Sequence, residues 1–431
     1  MFCAIDFGTS NSAIAIPDAR AGMRLVELEP GHTTMPTAVF YLVDDPAQGD
    51  EHRGLPRLFG RAAIAAYVDG FDGRLMRSMK SVLGSHLIEQ TTDVGGGRGE
   101  RYLDIVAEYL KHLKSCAEAQ AGPPIRRAMI GRPVFFVDDD PARDAQAQSA
   151  LEAAAGQAGF DDIQFQYEPI AAAIDYERCA TREQLVLVAD IGGGTSDFSV
   201  VRVGPGLGEK LDRKGDILAN HGVHVAGTDF DRRVELAAIL PAYGFGAFGP
   251  TVAATSAREV PSGVYFDLAT WHLINTVYSP GRAAELRGMR GFYSDPKHYR
   301  RLMTVVDERL GHELMARAEQ AKIDVAEGGS TRIDLACTER HLAAMLTEPQ
   351  AVNVIEADMA RIVVAAREAV AQAGLVPEQL DALYLTGGST GLRLLAERIA
   401  AAFPAAQVIR GDRFASVVNG LGLHAQRLFG R

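Results

Sequence analysis

Short apolar runs alternate with longer stretches of helical periodicity along the chain. The apolar runs have the length and the β-branched content of buried strands, and they cover residues 2–5, 13–16, 35–41, 128–133, 185–189, 198–201 and 383–385. Helical periodicity predicts helices over residues 61–84, 102–119, 141–159, 227–240, 303–327, 348–373, 391–402 and 416–429. The pattern therefore predicts a protein of mixed strands and helices.

One predicted strand pair encloses a run of glycines. Asp190 ends the first strand, residues 192–194 are all glycine, Thr195 follows, and Asp197 opens the second strand. Consecutive glycines allow backbone N–H groups to approach an anion closely. Carboxylates beside such a turn would repel a phosphate unless a divalent cation lay between them. The motif fits either a magnesium–nucleotide phosphate loop or an ordinary glycine hairpin.

The N-terminus repeats this motif. An apolar strand ends at Asp6, the turn Gly8-Thr9-Ser10-Asn11 follows, and a second apolar strand covers residues 13–16. Two copies in matching strand contexts indicate two similar lobes. Neither copy is a Walker loop, because the glycines lead into strands rather than into a helix. We therefore expect phosphates to be held between two hairpins, with the aspartates acting on a magnesium ion through water.

Two further glycine patterns have different predicted roles. The turn Gly387-Gly388-Ser389 follows a strand and precedes a helix, which suits a ligand lying against the strand end. Gly420 and Gly422 lie in the last predicted helix, where small residues allow the close approach of a neighbouring element.

Other polar residues have ordinary interpretations when taken alone. Lys80 resembles a solvated surface charge. Glu168 lies at the start of a predicted helix, where a carboxylate is favoured by the helix dipole. Glu319 and Lys322 are three residues apart on one helix, which favours a local salt bridge.

Composition restricts the function class. The chain has 431 residues, enough for two or three domains, and is 47% hydrophobic and 23% charged, as is usual for a globular protein. A net charge of −11 argues against a nucleic-acid partner. Asp6 interrupts the first apolar run, and no apolar stretch reaches the roughly 20 residues of a membrane span. With four scattered cysteines, these features predict a cytoplasmic protein without a membrane partner.

Taken in order, the motifs resemble the nucleotide-binding part of the seventy-kilodalton heat-shock (DnaK-type) chaperones, and among them the short, YegD-like members. The matching segments are AIDFGTSNS, RSMKSVLG, YEPIAAAIDY, VADIGGGTSDFSVV, AGTDFDRR, AEQAK, LYLTGGST and SVVNGLGLHA. Eight motifs in the order of the family make this resemblance specific, whereas any one of them alone would not.

The resemblance implies an α/β, actin-like ATPase fold of two lobes, each with a ribonuclease-H-like mixed sheet, and a nucleotide cleft between them. Lobe I would cover residues 1–182, with the C-terminal helix 411–431 packing back on it. Lobe II would cover residues 183–410 and include a peripheral subdomain at about 232–310. The sequence shows no linker and no peptide-binding domain after the last helix, so we expect none.

The resemblance also assigns roles to residues, with ATP or ADP and Mg²⁺ as cofactors. Asp6 and Asp190 would hold the metal through water. The catalytic residues would be Lys80, Glu168, Asp197 and Thr195. The nucleotide would be bound by Gly8, Thr9, Ser10, Asn11, Gly192, Gly193, Gly194, Thr195, Gly227, Glu319, Lys322, Gly387, Gly388 and Ser389.

The adenine side departs from the family. Ile323 and Gly391 occupy the positions of two arginines that are usual there, so we expect weaker ATP binding. The function implied is an ATP-binding, slowly hydrolysing nucleotide switch that acts on a separate, unidentified partner or co-chaperone. The alternatives are an actin-like filament protein and a small-molecule kinase of the same superfold.

Overall fold

The structure is a computed structural model that describes residues 1–19, 22–43, 57–95, 97–137, 140–177, 180–210, 212–250, 258–271, 273–411 and 415–430. The described strands, in chain order, are β1 Phe2–Phe7, β2 Asn11–Asp18, β3 Gly22–Leu25, β4 Thr34–Pro36, β5 Ala38–Leu42, β6 Arg57–Phe59, β7 Gly73–Arg77, β8 Thr91–Asp93, β9 Gly99–Arg101, β10 Arg127–Arg132, β11 Asp162–Tyr167, β12 Gln184–Ile191, β13 Ser196–Val203, β14 Ile217–Val223, β15 Ser330–Asp334, β16 Ala343–Thr347, β17 Ala382–Thr386 and β18 Gln407–Arg410.

The described helices are α1 Gly60–Val68, α2 Tyr102–Ala121, α3 Pro141–Gln157, α4 Glu168–Glu177, α5 Gly227–Val234, α6 Gly263–Leu268, α7 Ile274–Val277, α8 Pro280–Arg287, α9 Pro296–Asp307, α10 Gly311–Asp324, α11 Glu348–Gln372, α12 Arg393–Ala402 and α13 Ser416–Phe429. The predicted helices at 102–119, 141–159, 348–373 and 416–429 are confirmed as α2, α3, α11 and α13.

The chain divides into two compact units. The first comprises Met1–Val223, Val364–Thr390 and Ile399–Arg431, and the second comprises His224–Val363 and Gly391–Arg398. The proposed lobe boundaries and the peripheral subdomain remain predictions.

Two sheets of the first unit share one arrangement. One has the order β11-β10-β1-β2-β3, with β4 also on β2, and the other has the order β14-β13-β12-β17-β18. In each sheet an antiparallel hairpin, β1–β2 or β12–β13, lies beside a strand parallel to its first member. This common arrangement agrees with the internal repeat seen in the two glycine motifs.

Helices α4 and α13 pack against each other and form one buried core with apolar residues of both sheets. The crossing is close, because a Cβ atom on Gly420 would lie 1.9 Å from the carbonyl oxygen of Ala171. A Cβ on Gly422 would lie 2.8 Å from Cγ of Met23. The prediction that these glycines allow a close approach is therefore confirmed.

The predicted helix over 61–84 is wrong after its first turns. Helix α1 ends at Val68, Gly70 has φ +76°, and β7 then pairs with β5. Ser78 is left-handed at φ +55° and leads into a 3-10 turn over Met79–Val82. Pairing of β7 with β5, rather than local helical periodicity, determines the structure of this segment. Lys80 consequently lies in a turn.

The predicted helix over 303–327 is two helices. Helix α9 ends at Asp307, Arg309 adopts a left-handed φ of +56°, and α10 starts at Gly311. The Gly311 N–H donates to the Tyr278 hydroxyl at 2.7 Å, and a Cβ on Gly311 would lie 2.5 Å from that oxygen. The break is therefore set by packing against a residue distant in sequence.

The second unit has its own core, built mostly from helices. Buried residues from α5, α6, α9 and α10 share one apolar cluster with the β15–β16 hairpin. Residues 241–300, which have no clean period in sequence, contribute α6, α7, α8 and the start of α9. Within the described part of the chain, no helix combines the length and the apolar character needed to cross a bilayer.

Candidate functional site

The central glycine turn joins β12 to β13 and carries two opposed carboxylates. Asp190 and Asp197 are directly opposite one another in the antiparallel register. The Gly192 N–H donates to the Thr195 carbonyl oxygen at 3.0 Å and closes the turn. The Thr195 hydroxyl donates to Oδ2 of Asp197 at 2.9 Å. Thr195 and Asp197, both predicted as catalytic, are thus in direct contact.

The third glycine turn lies against the central one. Strand β17 pairs with β12 and places Thr386 beside Asp190. Gly387 has φ +85°, and a Cβ there would lie 2.5 Å from Oδ1 of Asp190, so both its backbone conformation and its surroundings require glycine. The Ser389 hydroxyl donates to the Gly192 carbonyl oxygen at 2.7 Å. Gly388 is exposed in the 3-10 turn that leads towards α12.

The N-terminal turn is held by a residue that the sequence motif did not indicate. A Cβ on Gly8 would lie 2.1 Å from the Asn11 carbonyl oxygen, which explains the glycine. The Thr37 N–H donates to the Ser10 carbonyl oxygen at 2.9 Å, and the Thr37 hydroxyl donates to the Gly8 carbonyl oxygen at 2.7 Å. Thr37 lies between β4 and β5, and nothing in its local sequence distinguishes it from an ordinary strand residue. Thr9 is half-buried within the turn.

Lys80 and Glu168 form an ion pair across 88 residues of sequence. The Lys80 ammonium lies 2.6 Å from Oε1 of Glu168, and the two side chains are 11% and 16% exposed. Glu168 is the first residue of α4. Interpreting Lys80 as a solvated surface charge is therefore wrong.

Burial and neighbouring charges shift the pKa values of this cluster. Burial raises the pKa of Asp6 to about 7, with further contributions from Glu168 and Asp190 and an opposing one from Lys80. Burial also raises the pKa of Asp190 to about 7, with Asp197 as the next contributor. Burial alone would lower the pKa of the Lys80 ammonium, but the negative charges of Glu168 and Asp6 outweigh it and raise that pKa.

This donor set fits a magnesium ion. Asp6 and Asp190 carry carboxylate oxygens, the ligands that Mg²⁺ prefers, and their pKa values are raised first by burial and further by neighbouring carboxylates. Among the described residues, no group of three or more His, Cys, Asp or Glu side chains is arranged to hold a metal. Asp6 and Asp190 would supply the one or two carboxylates that Mg²⁺ usually takes together with water and substrate phosphates.

The remaining predicted nucleotide contacts belong to the second unit. Gly227 starts α5, and its carbonyl oxygen lies 3.5 Å from the Lys322 ammonium. That ammonium forms its ion pair with Asp231, at 2.6 Å. The prediction of a local salt bridge between Lys322 and Glu319 is therefore wrong. Burial raises the pKa of Asp231 to about 6, opposed by Lys322. Ile323 is 54% exposed.

The first unit therefore brings together most of the residues singled out from the sequence. It places the largely buried ammonium of Lys80 among carboxylates, beside glycine turns in which Gly8 and Gly387 lie too close to neighbouring atoms to carry a Cβ. Such a group of charges suits the binding of a metal-complexed polyanion and the stabilisation of charge on a transferring phosphoryl group.

Comparison with known proteins identifies relatives over the whole described fold. A family model described as Hsp70 protein matches residues 2–237. The chaperone protein HscA homolog of Methylobacillus flagellatus is 26% identical over 434 residues, covering 99% of this chain and 58% of that protein. The corresponding protein of Aromatoleum aromaticum is 25% identical, with the same coverage of 99% and 58%.

The chaperone protein DnaK of Deinococcus deserti is 32% identical over 238 residues, covering 53% of this chain and 35% of that protein. The chain thus spans 58% of the length of the two HscA homologues.

Proposed function

Since this chain belongs to the Hsp70 family, we propose that it binds ATP with magnesium and hydrolyses it slowly, as the nucleotide switch of a chaperone system. Membership of the family gives it the actin-like ATPase fold, with which its mixed α/β sheets and helices accord. The observation that carries the proposal is the largely buried Lys80–Glu168 ion pair among the carboxylates of Asp6, Asp190 and Asp197.

The residues of the first unit support distinct parts of the reaction. Backbone N–H groups of the two glycine turns would bind phosphate oxygens. The Lys80 ammonium, oriented by Glu168, would offset negative charge on the γ-phosphate and orient the attacking water. Asp6 and Asp190 would hold Mg²⁺ through water, and the ion would supply further neutralisation of phosphate charge. Thr195 and Asp197 would order the water network beside that ion.

A chaperone role is part of the proposal because the relatives carry chaperone names. The two HscA homologues extend well beyond the length that this chain matches. The partner that responds to the nucleotide state is therefore proposed only as a separate protein or a further segment, which the residues described here do not specify.

The test is single-turnover hydrolysis of ATP with magnesium. We expect Lys80→Ala to bind ATP with an affinity close to that of the wild type but to hydrolyse it about a hundredfold more slowly or worse, because one preorganised charge at the transferring group is lost. Lys111→Ala, on the exposed face of α2, is the matched control and should hydrolyse ATP at the wild-type rate. Equal rates for Lys80→Ala and the wild type would remove Lys80 from the mechanism. A wild type that binds no ATP would contradict the function itself.

A further inference from the structure

We propose that Arg132 is a positioning residue for the ATPase reaction, acting by fixing the start of α4 and thereby the orientation of Glu168 towards Lys80. The inference rests on the proposed function for its catalytic consequence. Its structural part, the dependence of the Lys80–Glu168 pair on Arg132, stands on contacts within the first unit.

Strand register places Arg132 beside the residue that precedes Glu168. Arg132 ends β10, Tyr167 ends β11, and the two are partners in the parallel ladder. Glu168 follows as the first residue of α4. Any group that holds Tyr167 in place therefore also sets the direction in which α4 begins.

The guanidinium of Arg132 contacts two aromatic rings. Its Cζ atom is 5.1 Å from the ring centre of Tyr167 and 5.2 Å from that of Phe136. Arginine favours such sites because its planar charged group stacks on aromatic faces while its edge stays available for hydrogen bonds. Arg132 is 8% exposed, so little water competes for these contacts.

Hydrogen bonds hold the edge of the same guanidinium. Its Nε donates to the Pro133 carbonyl oxygen at 3.0 Å, and Nη2 donates to the Val134 carbonyl oxygen at 3.1 Å. Nη2 also lies 2.9 Å from a carboxylate oxygen of Asp144, and Nη1 donates to Gln148. All three guanidinium nitrogens are thus engaged, and the plane of the group is fixed.

Asp144 links this arrangement to the second ring. One of its oxygens accepts the Phe136 N–H at 2.6 Å while the carboxylate also binds Arg132. The turn after β10 and helix α3, which carries Asp144, are therefore tied to the same cation. Removing the cation would leave Asp144 with its buried charge only partly compensated.

The residue before Arg132 forms the surface on which Glu168 lies. A Cβ on Gly131 would be 3.2 Å from Cγ of Glu168 and 3.1 Å from Cδ1 of Leu421. The Glu168 side chain therefore packs directly on the end of β10. A shift of the end of β10 would therefore move the surface that Glu168 contacts, and it would also move the ring of Tyr167.

The decisive variants are Arg132→Met and Arg132→Lys. Methionine keeps an unbranched side chain without charge, and lysine keeps the charge without the planar guanidinium that stacks on the rings. For both we expect the single-turnover hydrolysis rate constant at saturating ATP to fall about ten- to hundredfold, because small misplacements of a catalytic constellation have effects of that size. The dissociation constant for ATP should change by less than about threefold, which corresponds to about 0.6 kcal/mol.

Arg213→Met is the matched control. Arg213 is 2% exposed and forms ion pairs with Glu177 and Asp216, so its loss also disrupts a buried ion-pair network. It should lower thermal stability but leave the hydrolysis rate constant near the wild-type value. Because Glu177 is the last residue of α4, this variant also loosens the far end of that helix. A fall in rate for Arg213→Met equal to that for Arg132→Met would show that the rate does not depend on the start of α4 in particular, and it would overturn the proposal.

Tyr167→Leu provides a second route if an Arg132 variant does not fold. It removes the ring under the guanidinium and leaves Arg132 itself in place, and we expect the same selective loss of rate. A wild-type rate for Tyr167→Leu would overturn the stacking argument, and full activity of Arg132→Lys would do so as well.

A crystal structure of the nucleotide-free variant separates this inference from the proposed function. In Arg132→Met or Tyr167→Leu, the distance from Lys80 Nζ to the nearest Glu168 oxygen should exceed about 3.5 Å, the limit of a hydrogen bond. A distance that stays at 2.6 Å, as in the present structure, would overturn the positioning role even if hydrolysis were slow. If the wild type does not hydrolyse ATP, the proposed function fails, and this distance still tests the role of Arg132.

Discussion

Lys80 and Lys322 obtain their partners from distant parts of the chain. Lys80 pairs with Glu168 in the first unit, and Lys322 pairs with Asp231 in the second. Local sequence alone predicts a solvated charge for Lys80 and an i,i+3 ion pair for Lys322. Sequence spacing cannot find such partners, because an ion pair of this kind exists only after both side chains have been brought together and shielded from water.

Ile323 allows a test of the altered adenine side. Its side chain is largely exposed on α10, at the position where the family resemblance implies a stacking arginine. We expect Ile323→Arg to tighten ATP binding by up to about thirtyfold, since a cation–π contact contributes roughly 0.5–2 kcal/mol. Isothermal titration calorimetry would measure the change.

Ile323→Leu is the control for that measurement, and it should leave the affinity near the wild-type value because it adds no cation. Low-nanomolar ATP affinity in the wild type would contradict the expected weakness of this side.

At the scale of elements, the close crossing of α4 and α13 depends on the absence of a side chain at one position, Gly420. Both helices contribute to the core that includes residues of the two large sheets. Gly420 lies over the backbone of Ala171, and no side chain fits there without moving one helix. The start of α4 carries Glu168, so the geometry of this crossing and that of the candidate site belong to the same element.

We expect Gly420→Ala to lower the free energy of unfolding by about 1–3 kcal/mol, because the added methyl group overpacks the helix crossing. Chemical denaturation followed by circular dichroism would measure the loss. Gly156→Ala in α3 is the matched control, since a Cβ there meets no atom within 4 Å. That variant should gain roughly 0.5–1 kcal/mol from helix propensity. Equal effects of the two substitutions would show that the close approach does not govern stability.

At the scale of the whole molecule, buried acids make stability depend on pH. Glu235 is 0% exposed in the π-turn after α5, and within the described residues neither of its side-chain oxygens has a hydrogen-bond partner. Its backbone N–H bonds to the Asp231 carbonyl oxygen one turn earlier, so the two side chains share a helix face. Burial raises the pKa of Glu235 well above its usual value, with the negative charge of Asp231 as a further cause.

The sign of the effect follows from linkage. In the unfolded chain Glu235 ionises near its ordinary pKa of about 4.3, whereas in the folded protein it keeps its proton to higher pH. The contribution of Glu235 to the free energy of unfolding is therefore fully present at pH values below the pKa that this residue has in the unfolded chain. As pH rises towards the folded pKa, the free energy of unfolding falls by about 1.4 kcal/mol per pH unit from this group. Asp6 and Asp190 also have raised pKa values, so their contributions to the free energy of unfolding likewise fall as pH rises to about 7.

We expect the stability of Glu235→Gln relative to the wild type to increase as pH rises from about 5 to 8, because glutamine cannot ionise. Thermal or chemical unfolding at several pH values would measure the difference. Glu152→Gln, at an exposed position of α3, is the control and should keep the pH slope of the wild type. Glu235→Leu separates ionisation from hydrogen bonding, and it should show the same trend. A difference that is constant with pH would mean that Glu235 does not stay protonated on folding.

Local sequence patterns predicted much of the secondary structure and the position of each glycine turn. Strands β12 and β13 and helices α2, α3 and α13 lie where periodicity placed them, because each buries one regular set of apolar residues. The helical prediction over 61–84 was wrong where the chain pairs with β5 instead. The roles of the separate site residues stay predictions, supported by their positions.

The sequence by itself determined which residues can turn tightly and which segments are apolar enough to be buried, since both properties belong to individual residues and their immediate neighbours. Together with the order of the motifs, this was sufficient to predict the family and the fold. Only the tertiary structure determined that Lys80 meets Glu168, that Ser389 reaches the Gly192 carbonyl oxygen, and that Arg132 stacks on Tyr167. The first two contacts join residues 88 and 197 positions apart, and the third depends on strand register, so each forms only when the sheets and helices pack.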